Sequence, residues 1–210
     1  MYFRINPDKI DFNYLDKVVK ILSDGGIVIY PTDTVYAIGC AIQNQEGVER
    51  IARLKNMPLK KTNFSIVCHD FSHLSSFTKP ISNQLFRIMK QVLPGPYTFI
   101  LPAGNNLPKS FRENKKTIGI RVPDNRITTY LIKTLGQPLI SSSIHDQDDE
   151  ILEYYKEPEA IYENYRDKVD AMIDGGYGNI YPSTVIDFNG DTPIVVREGL
   201  GEISFLKNFG

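Results

Sequence analysis

The chain has 210 residues, 41% of them hydrophobic and 23% charged, with a formal net charge of −1. That is apolar material for one core, and no Ser/Gly-rich or charge-rich linker divides it, so residues 1–210 are expected to form a single domain. No apolar run is long enough for a bilayer, Met1 to Pro7 lacks a signal peptide's apolar core, and Cys40, Cys68, His69, His73 and His145 show no disulfide or metal-ligand spacing; membrane, secreted and zinc-site classes are excluded and a cytoplasmic protein is expected.

In chain order, Asn13 is placed to cap a helix whose apolar stripe is Leu15, Val18, Val19 and Leu22, and Gly25-Gly26 supplies its left-handed stop. Residues 27–30 are short, β-branched and bounded by Gly and Pro, the pattern of an interior strand. Pro31 ends its pairing, and Thr32, Asp33 and Thr34 follow with two hydroxyls and a carboxylate; these serve either a ligand at a strand end or an ordinary turn. A strand over 36–40, a helix carrying Val48, Ile51, Ala52 and Lys55, and a strand over 64–68 come next. Ser82 caps a helix with the stripe Leu85, Ile88, Met89 and Val92, stopped by Pro94-Gly95-Pro96. Strands are expected at 97–101, 118–122 and 139–143 with a helix around 128–135, then strands at 171–173, 184–188 and 194–196. The alternation predicts an α/β fold on a twisted mixed β-sheet.

Charge is uneven along the chain. Between Lys109 and Arg126 six basic residues face only Glu113 and Asp124, a stretch suited to anions. Between Asp146 and Glu163 eight acids face only Lys156, a stretch that a nucleic acid would avoid or that is simply a solvated face.

Four polar strand ends recur in order from about Gly25 to Gly199. They are Pro31-Thr32-Asp33-Thr34, Pro94-Gly95-Pro96-Tyr97-Thr98, Gly119-Ile120-Arg121-Val122-Pro123-Asp124, and Tyr181-Pro182-Ser183-Thr184 with Val195-Val196-Arg197-Glu198-Gly199. Together they resemble the YrdC family of threonylcarbamoyl-AMP synthases. Leu54-Lys55-Asn56-Met57-Pro58 and Lys116-Thr117-Ile118-Gly119-Ile120-Arg121 are more similar to its YciO subgroup. The family's Lys-x-Arg pair reads Lys55-Asn56-Met57 here, its Ser-x-Asn reads Ser143-Ile144-His145, and Cys68 stands where a histidine is usual. Methionine offers phosphate no donor where arginine offers a rigid fork; Lys60 or Lys61 is a point charge that could compensate.

The resemblance implies helices on the faces of the sheet, a large concave cleft, and synthesis of threonylcarbamoyl-AMP and pyrophosphate from L-threonine, bicarbonate and ATP with Mg²⁺. It places Thr34, Arg121 and Ser183 on the amino acid, Lys55, Thr117, Ser143 and Arg197 on the nucleotide, and catalysis on Lys55, Arg121 and Ser183, with no resident metal. Purely structural alternatives are Arg121 pairing with Asp124 or Glu198, Arg197 holding a strand end, and Ser183 starting a strand. Two other functions fit the same resemblance: a positive surface for tRNA or double-stranded RNA, and a YciO-type paralogue acting on another amino acid or acyl phosphate.

Overall fold

The computed structural model describes residues 1–58, 64–108, 116–144, 155–190 and 192–208. Ten strands form one mixed sheet: β1 (Tyr2–Arg4), β2 (Val28–Tyr30), β3 (Ala37–Ala41), β4 (Ser65–Val67), β5 (Tyr97–Pro102), β6 (Thr117–Arg121), β7 (Leu139–Ser143), β8 (Ala171–Asp174), β9 (Thr184–Asp187) and β10 (Ile194–Arg197). Across the sheet they lie in the order β1-β8-β2-β3-β7-β4-β6-β5-β9-β10. β8 runs parallel to both β1 and β2, β4 to β6 and β5 to β9, and the remaining neighbours are antiparallel.

Helices α1 (Phe12–Ser23), α2 (Gln45–Leu54), α3 (Phe71–Ser75), α4 (Asn83–Val92), α5 (Arg126–Leu135) and α6 (Pro158–Tyr165) connect them, and a 3-10 turn spans Ser204–Asn208. Among the described residues no helix is long and apolar enough to cross a membrane. The stripes expected on α1 and α4 are the buried faces. Asn13 is not the cap of α1: Asp11 is, its carboxylate accepting the Asn13 N–H at 3.0 Å, because the first turn begins two residues earlier than the apolar stripe suggests. Gly25 follows the helix with φ +91°, as its stop role requires.

Side-chain alternation divides the core in two. Ile27 and Ile29 belong to a cluster under α2 and α4, whereas Val28 and Tyr30 join Leu15, Val18 and Leu22 of α1 and Ile127, Leu131 and Ile132 of α5. The face that α1 and α5 cover, which also takes in Val67 and Leu139, continues over β7, β4, β6, β5 and β9 with serines, threonines, Gly119 and Arg121 interspersed with Ile100 and Val185. That change of chemistry along one face of one sheet makes the cleft.

β1, α3, α6 and the 3-10 turn were not anticipated from sequence. β1 has only three residues, of which Phe3 alone is buried. The acidic run masks α6, although Pro158 in its first turn and Glu159 beside it are a helix-start signal.

A candidate active site on the open face of the sheet

The cleft encloses about 850 Å³. Its lining includes Ser65 and Val67 of β4, Thr98 and Ile100 of β5, Thr117, Gly119 and Arg121 of β6, Ser141 and Ser143 of β7, and Ser183, Val185 and Arg197 at the far end. The alternate residues Phe99, Leu101, Ile120, Ile140 and Ile186 are core on the opposite face. Period two therefore sends the hydroxyls and Gly119, together with Val67, Ile100 and Val185, to the cleft side and Phe99, Leu101, Ile120, Ile140 and Ile186 to the core. Gly119 pairs with Ser65 on one side and Ile100 on the other. A Cβ on it would come within 3.3 Å of Ser65 Oγ and of Thr98 Cγ2.

Arg121, the last residue of β6, is buried on this face. Its Nη2 donates to Asp33 Oδ1 at 2.9 Å and to Thr34 Oγ1 at 3.0 Å. Asp33 Oδ2 accepts the Asp124 N–H at 3.1 Å. Both side chains of the Arg121–Asp33 pair are only 10% exposed. Arg121 Nε is buried and makes no hydrogen bond among the described residues. Burial pushes the Asp33 carboxyl above the usual carboxylate range, outweighing the pull of Arg121 and the Asp124 N–H in the other direction. Pro31 ends β2, Thr32 Oγ1 accepts the Thr34 N–H at 3.0 Å, and the Thr128 hydroxyl of α5 donates to Pro31 O at 2.7 Å, which fixes the loop behind the arginine. Of the structural partners weighed for Arg121, neither Asp124 nor Glu198 supplies the carboxylate; Asp33 does.

At the other end, Ser183 precedes β9 and its Oγ lies 2.8 Å from Thr98 Oγ1. Arg197, the last residue of β10, donates from Nε and Nη2 to Ser183 O at 3.1 and 2.9 Å, and from Nη2 to Ser183 Oγ at 3.2 Å. Arg197 thus ties the starts and ends of neighbouring strands together, as one structural alternative held, while also lining the cleft. Thr184 Oγ1 beside it donates to Gly201 O at 2.6 Å and accepts the Gly199 N–H at 3.0 Å.

Lys55 caps the C-terminus of α2, and the left-handed Asn56 (φ 48°) follows it. Its Nζ donates to Ser143 O at 2.8 Å, so the ammonium sits against the wall of the cleft through β7. Burial lowers its pKa to about 8. Thr117 and Ser143 line the cleft, half-buried. Met57 is 38% exposed and does not line it. Cys68 is core, with its thiol pushed up by burial, the reading expected of a small residue at a strand end.

The seven proposed site residues thus gather at one cleft: Thr117, Arg121, Ser143, Ser183 and Arg197 line it, and Thr34 and Lys55 bond to residues that do. Lys60, Lys61, His145, most of the basic run before Lys116 and the acids of 146–153 lie outside the described residues. Sequence reasoning passed over Thr98, Lys116, Ser65, Ser141 and the role of Asp33. Ser141 alternates with Ser143 and Lys116 precedes Thr117, a usable signal, whereas Ser65 meets the site through its pairing with Gly119 and Ser141, and Thr98 through Ser183, which no local pattern gives. Among the described residues no three His, Cys, Asp or Glu side chains group as metal ligands.

A family model described as telomere recombination, and covering Sua5, YciO and YrdC proteins, matches residues 20–199. The chain belongs to the Sua5/YciO/YrdC family. It is 41% identical to the uncharacterized protein YciO of Escherichia coli (strain K12) over 203 residues, 96% of this chain and 97% of that one. The crystal structure of E. coli YciO superposes with a TM-score of 0.89 at 39% identity over 97% of this chain and 98% of the other. A threonylcarbamoyl-AMP synthase of Coxiella burnetii (strain RSA 493 / Nine Mile phase I) is 28% identical over 82% of this chain and 90% of its own length. The structure of P. abyssi Sua5 complexed with L-threonine shares the fold, with a TM-score of 0.89 at 24% identity over all of this chain and 60% of that one.

Proposed function

We propose that this protein is a nucleotidyltransferase of the threonylcarbamoyl-AMP synthase type, acting as one domain over residues 1–210 in the cytoplasm. The observation that carries the reading is the convergence of the four separated strand ends on one cleft whose buried floor arginine keeps an unpartnered Nε. In this reading Arg121 meets the carboxylate of L-threonine, with Thr34 and Ser183 beside it. Lys55, Thr117, Ser143 and Arg197 face the nucleotide phosphates. The lining offers cations and hydroxyls, and no carboxylate among the described residues, a donor set that suits phosphate oxygens better than a resident Mg²⁺. Mg²⁺ therefore enters as part of the ATP substrate.

The chemistry needs no protein nucleophile. The threonine amine adds to bicarbonate with loss of water, giving a carbamate. A carbamate oxygen then attacks the α-phosphorus of ATP in line, the bond to the bridging oxygen breaks, and pyrophosphate leaves. Positioning and charge neutralisation carry the rate. Lys55 contributes to charge neutralisation, Arg121 and Ser183 hold the amino acid in line. Relatives named threonylcarbamoyl-AMP synthases support this reading, and the departure at Met57 makes the rate the property to measure.

The test is pyrophosphate release from ATP on purified protein. Release that requires L-threonine and bicarbonate together, and that disappears in Arg197→Ala, is the expected outcome. Absence of turnover with every amino acid offered, alongside binding of structured RNA whose affinity falls steeply with salt, would sink the synthase in favour of a tRNA- or double-stranded-RNA-binding role.

A further inference from the structure

We infer that Asp33 sets the charge class of the ligand taken at the floor of the cleft, favouring a zwitterionic amino acid over a simple carboxylate anion of the same shape; this rests on reading the cleft as an amino-acid and nucleotide site. Asp33 stands behind Arg121 at 2.9 Å, and both side chains are 10% exposed. Its other oxygen is committed to the Asp124 N–H. The remaining groups around the guanidinium, Thr34 and Thr32, are uncharged. The floor is therefore a neutral buried pair rather than a free buried cation.

That neutrality decides what can join it. Arg121 Nε is still a donor without a partner, so a ligand oxygen has a hydrogen bond to make there. A lone carboxylate making that bond would bring a second negative charge to a cation already matched by Asp33, in a place with little water to share the load. The Asp33 carboxyl is already pushed upward by burial despite its arginine, so negative charge at this point is not over-compensated. An amino acid carries its own ammonium and adds no net charge. Lys116 and Arg197 line the cleft elsewhere, where a phosphate chain would meet them.

Asp33 is thus a specificity residue that acts through Arg121. The experiment is calorimetric titration of L-threonine and of its analogue with a hydroxyl in place of the ammonium, on wild type, Asp33→Asn and Asp33→Glu. The asparagine keeps an acceptor for Arg121 Nη2 but removes the charge; the glutamate restores it. Wild type should prefer L-threonine by at least about tenfold, Asp33→Asn should erase most of that preference by gaining affinity for the hydroxy acid, and Asp33→Glu should retain it. A structural role would weaken both ligands equally, and an unchanged ratio in Asp33→Asn overturns the inference while leaving the proposed function standing. Should Asp33→Asn not fold, wild type and Asp33→Glu decide: equal or tighter binding of the hydroxy acid by either overturns the inference. If wild type binds neither ligand, the proposed function falls and the inference falls with it.

Discussion

Arg121 shows how a single side chain can serve stability and ligand binding together. Removing its guanidinium in Arg121→Met leaves Asp33 buried without its cation, and unfolding in urea should show a loss of about 3–5 kcal/mol. Arg121→Met combined with Asp33→Leu should recover much of that loss without recovering ligand binding. Lys55 gives a pH signature. Its folded pKa of about 8 lies below the ordinary 10.5, so between these values the unfolded chain binds more protons than the folded one. The penalty of burying the ammonium is therefore fully present below about pH 8 and is relieved as pH rises toward 10.5. Urea midpoints should show wild type gaining on Lys55→Met over that interval, and a gap that stays constant would count against the assignment. At this scale the sequence displayed the residue types but not their partners. The carboxylate of Asp33 was visible in its loop; that it would meet an arginine 88 residues later depends on β6 reaching the cleft face in register.

At the scale of elements, alternation along β6 separates function from core. Gly119→Val would place a branched side chain between Ser65 and Thr98, where even a Cβ is tight. Binding of L-threonine or ATP, followed by calorimetry, should fall by about tenfold or more, while the strand keeps its pairing because valine favours extended backbone. Undiminished binding would mean that the ligand lies away from the centre of the sheet. The join between α1 and α2 depends on Asn44, whose Oδ1 accepts the Gly47 N–H at 2.9 Å and whose Nδ2 donates to Gly25 O at 2.7 Å. Asn44→Ala removes both bonds and should cost about 1–2 kcal/mol in urea unfolding with no change in ligand affinity. The long elements were legible because their apolar stripes are complete: Leu85, Ile88 and Met89 mark α4, and Leu139 to Ser143 form β7 as expected. The short ones were not, since β1 has three residues and is a strand only by virtue of pairing with β8.

For the whole molecule, the N-terminal edge strand is held to β8 by one carboxylate. Asp174, at the end of β8, accepts from Tyr2 Oη at 2.8 Å and Arg4 Nε at 2.8 Å, both from β1. Burial pushes its pKa up, but the Gly176 N–H, Arg4 and Tyr2 outweigh that and hold it below the usual range. A carboxyl lowered in the fold contributes stability above its unfolded pKa and loses it as pH falls through the folded one. Asp174→Asn should therefore flatten the acid limb of stability against pH, and an acid limb identical to that of wild type would remove Asp174 from the account. The class of fold was legible in the alternation of helix and strand. The strand order was not, because neighbours in the sheet such as β3 and β7, or β5 and β9, are joined by pairing that no local pattern encodes.

The position of β8 between β1 and β2 also has a consequence in time. Made in chain order, β2 has β3 at once, but β1 has no partner until residues 171–174 follow, which at about 5–20 residues per second is on the order of ten to thirty seconds later. Meanwhile Phe3 and Ile5, both buried at the end, stay without that strand. Until β8 is made, that apolar edge is the part of the growing chain most open to aggregation.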